Sequence, residues 1–102
     1  MDGFMTPPKH VDFQAKQLFG ACGEILDGSI AYIGLNGGGP TEQHTHAHDH
    51  LFIVVQGAAK ILYGNEIVLV QKNESFLVKG SVPHSVWNGF DGETVMIGIS
   101  VR

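Results

Sequence analysis

From Gly23 to the end of the chain, short runs rich in Ile, Val and aromatic residues alternate with turn-forming pairs. The runs occupy 24–26, 29–35, 51–56, 59–63, 66–70, 75–78, 85–87 and 94–101. Between them stand Asp27-Gly28, the stretch Asn36-Gly37-Gly38-Gly39-Pro40, Gln56-Gly57, Gly64-Asn65, Lys72-Asn73, Lys79-Gly80 and Asp91-Gly92. Such pairs mark turns because Gly and Asn accept positive φ at little steric penalty. About eight short strands at this spacing, with no convincing helix, point to a closed all-β sandwich or barrel. The Tyr63-Gly64-Asn65-Glu66 junction predicts a two-residue hairpin.

At 102 residues there is room for one domain with one core. The expected division is an N-terminal, partly extended arm over 1–22 and a barrel domain over 23–102. Within the arm, 11–22 follows neither a helical nor a strand period cleanly, which leaves a short edge strand as one option. A 43% hydrophobic and 16% charged composition describes a globular chain rather than a disordered one. With a formal charge of −4 and no Lys/Arg run, nothing is present to displace phosphate counterions, so a nucleic-acid partner is not expected. No stretch approaches the ~20 apolar residues of a membrane helix, and no basic segment followed by an apolar run suggests a signal peptide. Cys22 is the only cysteine, which excludes an intrachain disulfide and suits a reducing cytoplasm.

Functional information is concentrated in the histidines. Four of the six, His44, His46, His48 and His50, fall within seven residues, and His84 follows 34 positions later. Imidazole is the commonest protein ligand for transition metals. Residues two apart on a strand project the same way, so His44 and His46 are expected to chelate one ion. A turn at Ala47-His48-Asp49 would return His50 to the same side, ahead of an apolar run suited to a barrel wall. His84, beside Pro83, must come from elsewhere in the sheet, so only folding completes the set.

The spacing Gly38-(five residues)-His44-Thr45-His46-(three residues)-His50-(six residues)-Gly57 resembles the first conserved motif of the cupin superfamily, with His50 standing where a glutamate is usual. His84-Ser85-Val86-Trp87-Asn88 matches the ending of the second motif, whose earlier part is degraded at Asn73, Lys79 and Ser81. The resemblance implies a small jelly-roll β-barrel and one divalent transition metal held by His44, His46, His50 and His84. Four neutral imidazoles leave such an ion at its full charge and suit Zn, Cu, Fe and Ni. Four-His members that bind Mn leave that metal open as well.

His48 has no counterpart in the motif and is expected at the loop tip in water, as a bystander. His10 carries no assignment. Glu42 and Asp49 are expected to be solvated loop carboxylates. Asn88 is read as structural, or as a partner that orients a histidine. Phe52 shares strand parity with His50 and is the first choice for an aromatic lining a pocket. Tyr32, Tyr63, Trp87 and Phe90 are expected in the core or a dimer interface. Gly37-Gly38-Gly39 lacks the following helix and Lys-Ser/Thr of a phosphate loop, so it reads as a flexible lead-in to a strand.

Three functions follow as expectations. The first is a metal-dependent enzyme of dioxygenase or isomerase type, acting on a small anionic or enolisable molecule, with no defensible general base. The second is a non-catalytic module that binds or senses a metal or small ligand. The third and weakest is a metal-free, sugar-isomerase-like cupin. The resemblance also implies a homodimer.

Overall fold

The structure, a computed structural model, describes residues 3–102. Eight strands follow one another: β1 (Ile25–Ile33), β2 (Gly38–His44), β3 (Asp49–Gln56), β4 (Ala58–Tyr63), β5 (Glu66–Gln71), β6 (Glu74–Val78), β7 (His84–Asn88) and β8 (Thr94–Val101). They form two four-stranded antiparallel sheets, ordered β1-β8-β3-β6 and β2-β7-β4-β5. The all-β, single-domain jelly roll expected from the sequence is what the chain adopts. Among the described residues no helix is long and apolar enough to cross a membrane.

The core lies between the sheets. Phe52, Val54 and Met96 from one sheet meet Ala59, Ile61, Val70 and Val86 from the other, and Val78 closes the layer. These are the inward-facing alternates of their strands, as the period of two demands. β3 departs from simple alternation because Leu51 and Ile53, on its outer face, are buried too. The N-terminal arm explains this. Phe19, Ala21 and Cys22 lie over Leu51, Ile99 and Val101, and the Leu18 carbonyl accepts the Ser75 hydroxyl. Glu24 and Arg102 exchange both backbone hydrogen bonds, at 2.9 Å each, which anchors the end of the arm to the end of β8. A strand covered on both faces reads as a continuous apolar run.

Of the arm expected over 1–22, residues 1 and 2 lie outside the described residues; the remainder forms no named strand or helix and doubles back through turns between Met5 and Ala15, which pair in one isolated antiparallel bridge. Two further expectations are corrected. The runs 24–26 and 29–35 are not separate strands, because Asp27-Gly28 is no turn. Both residues pair with β8, opposite Ser100 and Ile99, and the extra residue Leu26 is absorbed as a bulge between Ile25 and Asp27. The glycine-rich stretch is not merely a lead-in either, since Gly38 and Gly39 open β2 against Trp87 and Val86. A methyl group on Gly38 would lie 2.6 Å from the Trp87 Cα, so this pairing requires glycine. The hairpin at 63–66 forms as expected, with Tyr63 opposite Glu66 and only Gly64, at φ 60°, using positive φ.

Candidate metal centre

Three elements converge at one end of the barrel: the end of β2 with the loop that follows it, the start of β3, and the start of β7. His44 closes β2 directly opposite His84, which opens β7, and their ring centroids are 4.6 Å apart. His50 enters at the second residue of β3. His46 does not share a strand face with His44, because β2 has already ended. Its backbone N–H instead donates to the Gly80 carbonyl at 2.9 Å, which turns the loop back over the barrel mouth. The two imidazoles still meet, with centroids 5.0 Å apart.

The hydrogen bonds determine which nitrogens are free. His46 Nδ1 lies 2.7 Å from the His48 carbonyl, and His84 Nδ1 lies 2.7 Å from the Val82 carbonyl. A carbonyl only accepts, so each Nδ1 carries the proton and each Nε2 presents a lone pair. Those two Nε2 atoms stand 3.1 Å apart. Two bare lone pairs repel at that distance unless a cation lies between them. With metal–nitrogen bonds of about 2.0–2.1 Å, two ligands on one ion sit roughly 3.0–3.4 Å apart. The donor set therefore fits a transition metal. Backbone carbonyls that orient ligating histidines are the usual support for such sites.

Five histidines gather here rather than four. His44, His46 and His84 form one triad whose ligand atoms all lie within 4.8 Å of one another, and His46, His48 and His50 form another. His46 belongs to both. The four residues singled out by the motif thus gather at one end of the barrel, His50 in a different triad from His44 and His84. His48 does not stand at a loop tip in water, as expected. It is half-buried, stacked on His46 at 4.2 Å and 10°, with its Nε2 3.1 Å from that of His50. Burial, followed by repulsion from His46, His48 and His84, pushes the His50 pKa down to about 4. Burial also lowers that of His84. Both side chains are neutral at pH 7, the form that coordinates metal.

Behind the histidines lies a cavity of about 270 Å³. His44, His50 and His84 line its mouth, and Ala31, Ile33, Phe52, Val86 and Met96 form apolar walls. Phe52 packs edge-on against His50, at 5.3 Å. Asn88 does not line this cavity, and no histidine is among its hydrogen-bond partners. Asp49 and Glu42 lie outside both triads. Asp49 Oδ1 accepts the Gly80 N–H at 2.9 Å and Oδ2 meets Lys79 Nζ at 3.3 Å, so this carboxylate is a clamp between two loops. The Gly80 hydrogen bond, with help from Lys79, holds its pKa below the usual carboxylate value.

Gly80 was visible in the sequence only as a turn residue. A methyl group there would lie 1.9 Å from the His48 carbonyl oxygen and 2.4 Å from that of His46. The loop carrying both histidines is thus seated directly on the Gly80 backbone.

The cupin domain family matches residues 31–101, well over half of the chain. The chain is a cupin. No curated protein matches this cupin in sequence. Among solved structures it is similar to the plu4264 protein from Photorhabdus luminescens, at 24% identity and a TM-score of 0.64, covering 74% of this chain and 61% of that one. It is similar to iron(II) HppE at 17% identity and a TM-score of 0.63, covering 72% of this chain and 41% of that one. The polyketide cyclase RemF from Streptomyces resistomycificus is 17% identical, with a TM-score of 0.62 and coverage of 72% and 51%. The cupin therefore spans roughly two-fifths to three-fifths of these relatives' lengths, and at such identities the likeness is one of fold.

Proposed function

We propose that this cupin is a small metal-dependent enzyme of dioxygenase or isomerase type, acting on a compact anionic or enolisable molecule. The observation that carries the reading is the pair of lone pairs on His46 and His84, aimed at each other across 3.1 Å beside an apolar cavity. His44, His46 and His84 hold the metal, with His50 as the fourth imidazole on the cavity side. A divalent Zn, Fe, Ni, Mn or Cu supplies a Lewis acid and a positive charge to a ligand oxygen. The apolar walls exclude water and raise the strength of any charge interaction inside. Among the described residues no lysine, arginine or carboxylate lines the cavity, so these residues offer a ligand's negative charge no counter-ion there. The iron in HppE and the cyclase activity of RemF support the reading by showing that the same fold holds a metal and hosts catalysis.

A second reading, a non-catalytic metal- or ligand-binding module, is favoured by the same lining. Among the described residues, the three histidines are the only titratable groups that line it, and none is a carboxylate or lysine suited to general acid–base work. Metal-stripped protein reconstituted in turn with Fe, Mn, Ni, Cu and Zn decides between the two. Oxygen uptake or turnover across a panel of small carboxylates, diketones and enolisable aldehydes is expected for the enzyme. Tight binding without turnover selects the module, and failure to retain any metal overturns the enzyme and leaves the module only in its metal-free, ligand-binding form.

We also propose a homodimer in a reducing, cytoplasmic setting. Ile25, Ile30 and Tyr32 on β1 are 68%, 56% and 65% exposed, an apolar strip at the edge of a sheet that a second copy would cover. Elution at the monomer volume at micromolar concentration would contradict this.

A further inference from the structure

We infer that His46, His48 and His50 form a second, outer metal subsite, which shares His46 with the inner triad and takes the same class of imidazole-seeking divalent cation. The inference rests on the metal reading above and extends it to a residue outside the cupin motif. All three ligand atoms lie within 4.8 Å of one another, and those of His48 and His50 are 3.1 Å apart, a ligand-to-ligand spacing. The His46 and His48 rings stack at 4.2 Å and 10°, so their in-plane lone pairs run nearly parallel, and the His48 ring must turn about its side-chain bonds for both to meet one ion.

The loop is built to hold this arrangement without an ion. His46 donates its backbone N–H to the Gly80 carbonyl and its Nδ1–H to the His48 carbonyl. Gly80 in turn donates to Asp49 Oδ1, one residue before His50. Replacing Gly80 with any other residue would drive a Cβ into the His48 carbonyl. A side chain that merely faced water would need none of these constraints.

Sharing has a consequence. With Nδ1 of His46 occupied by a carbonyl, only Nε2 is free, and one lone pair serves one ion. The triads therefore compete, and the chain takes about one cation rather than two. Inner and outer positions differ in what they offer the cavity. The inner triad presents His44 and His84 to it, the outer triad only His50, so an ion held outside would reach the cavity through one imidazole rather than two.

The test is a Zn(II) titration of metal-stripped protein by equilibrium dialysis against a competing chelator, for wild type, His44→Ala, His48→Ala and the double variant. Losing a group that only orients a ligand costs roughly 10–100-fold in affinity, so losing a ligand itself should cost about 100-fold or more. Either single variant is expected to keep one Zn(II) per chain, because one triad survives. The double variant should bind about 100-fold more weakly than His44→Ala alone. His48→Gln, which keeps a polar side chain of similar reach, should reproduce the loss in the His44→Ala background if His48→Ala disturbs the loop. Should His48 substitutions change nothing in either background, the His48–His50 contact is a plain hydrogen bond and the outer subsite is overturned while the inner one stands. Wild-type protein that takes up no Zn(II) would instead remove the metal reading itself.

Discussion

The two ends of β7 carry polar clusters of opposite character. At its far end, Asn88 is saturated. Its Nδ2 lies within 3.0 Å of the carbonyls of Ile33, Gly34 and Gly92, and its Oδ1 accepts from the Phe90 N–H at 2.8 Å and the Thr94 hydroxyl at 2.9 Å. Thr94 also accepts the Ala58 N–H. Every donor and acceptor finds a partner inside the chain, so the cluster ties the β1–β2 and β7–β8 loops to the start of β8 and needs nothing more. At the near end, His84 and His46 each satisfy one nitrogen with a backbone carbonyl and turn the other toward each other across 3.1 Å. Buried polar groups are almost always paired. A cluster complete on its own is structural, and one whose own hydrogen bonds leave lone pairs facing each other is the one the proposed metal would complete.

The sharpest way to break that contrast is Asn88→Ala. Removing the amide takes its donors from the Ile33 and Gly92 carbonyls and its acceptor from the Phe90 N–H, while the Gly34 carbonyl keeps the Gly37 N–H. Each unsatisfied buried group costs about 1–3 kcal/mol, with some relief from water at these half-exposed loops. A loss of about 3 kcal/mol is expected in urea unfolding of the metal-free protein, with the Zn(II) affinity of the folded variant unchanged. A stability loss below about 1 kcal/mol, or a tenfold weaker affinity, would erase the division of labour.

His46→Ala is the complementary experiment. A ligand present at 100 times its Kd stabilises the folded state by about 2.7 kcal/mol. Wild type and Asn88→Ala should both gain that increment on adding Zn(II). His46→Ala removes the one histidine common to both triads and should gain almost nothing. A full increment in His46→Ala would show that the cluster is not the metal site.

How far the sequence revealed these two ends differs, and the reasons are physical. β3 to β8 were readable because β-branched and aromatic runs end at residues that permit turns. β2 was not, since Gly-Gly-Pro-Thr-Glu-Gln-His contains almost nothing with strand preference and is held by its pairing with β7. β1 was cut in two because Asp27-Gly28 has turn chemistry, whereas β8 offers it hydrogen-bond partners that override local preference. His84 was legible from its distance to Asn88 alone. His48 was not, because its place depends on a loop seated on Gly80, 32 positions away in the chain. Contacts of that kind leave no local periodicity to read.

Gly80→Ala probes that seat. The added methyl group cannot fit 1.9 Å from a carbonyl oxygen, so the loop must move outward. Overpacking of this kind costs about 1–3 kcal/mol, and about 2 kcal/mol is expected in the metal-free protein. The displacement separates His46 and His48 from the other three imidazoles, so the Zn(II) increment should shrink as well. Asn88 and its partners lie at the opposite end of β7 and should keep their hydrogen bonds, visible as unchanged amide-exchange protection at Phe90. If Gly80→Ala binds Zn(II) like wild type, the loop is not what positions these ligands.

The smallest effect expected is one of pH, and it separates the ends by chemistry alone. The Asn88 cluster contains no titratable group. At the other end, His50 is held at about 4 instead of 6.5, and His84 is shifted in the same direction. Between those values the unfolded chain binds more protons than the native one, so stability rises with pH. In chelator-treated protein, stability is therefore full above about pH 6.5 and falls as the pH drops below it. The His50 contribution stops changing below pH 4, where both states are protonated. His50 is half-exposed, so solvent screening reduces the effect to on the order of 1 kcal/mol. Asp49 acts in a separate window: its lowered pKa confines its loss to pH below the ordinary carboxylate value of 3.8. His50→Gln should flatten the decline between pH 6.5 and 4, while Thr94→Val, at the saturated end, should lower the whole curve without changing its slope. A Thr94→Val curve that tilts, or a His50→Gln curve that does not flatten, would mean that the two clusters are coupled through β7 rather than independent.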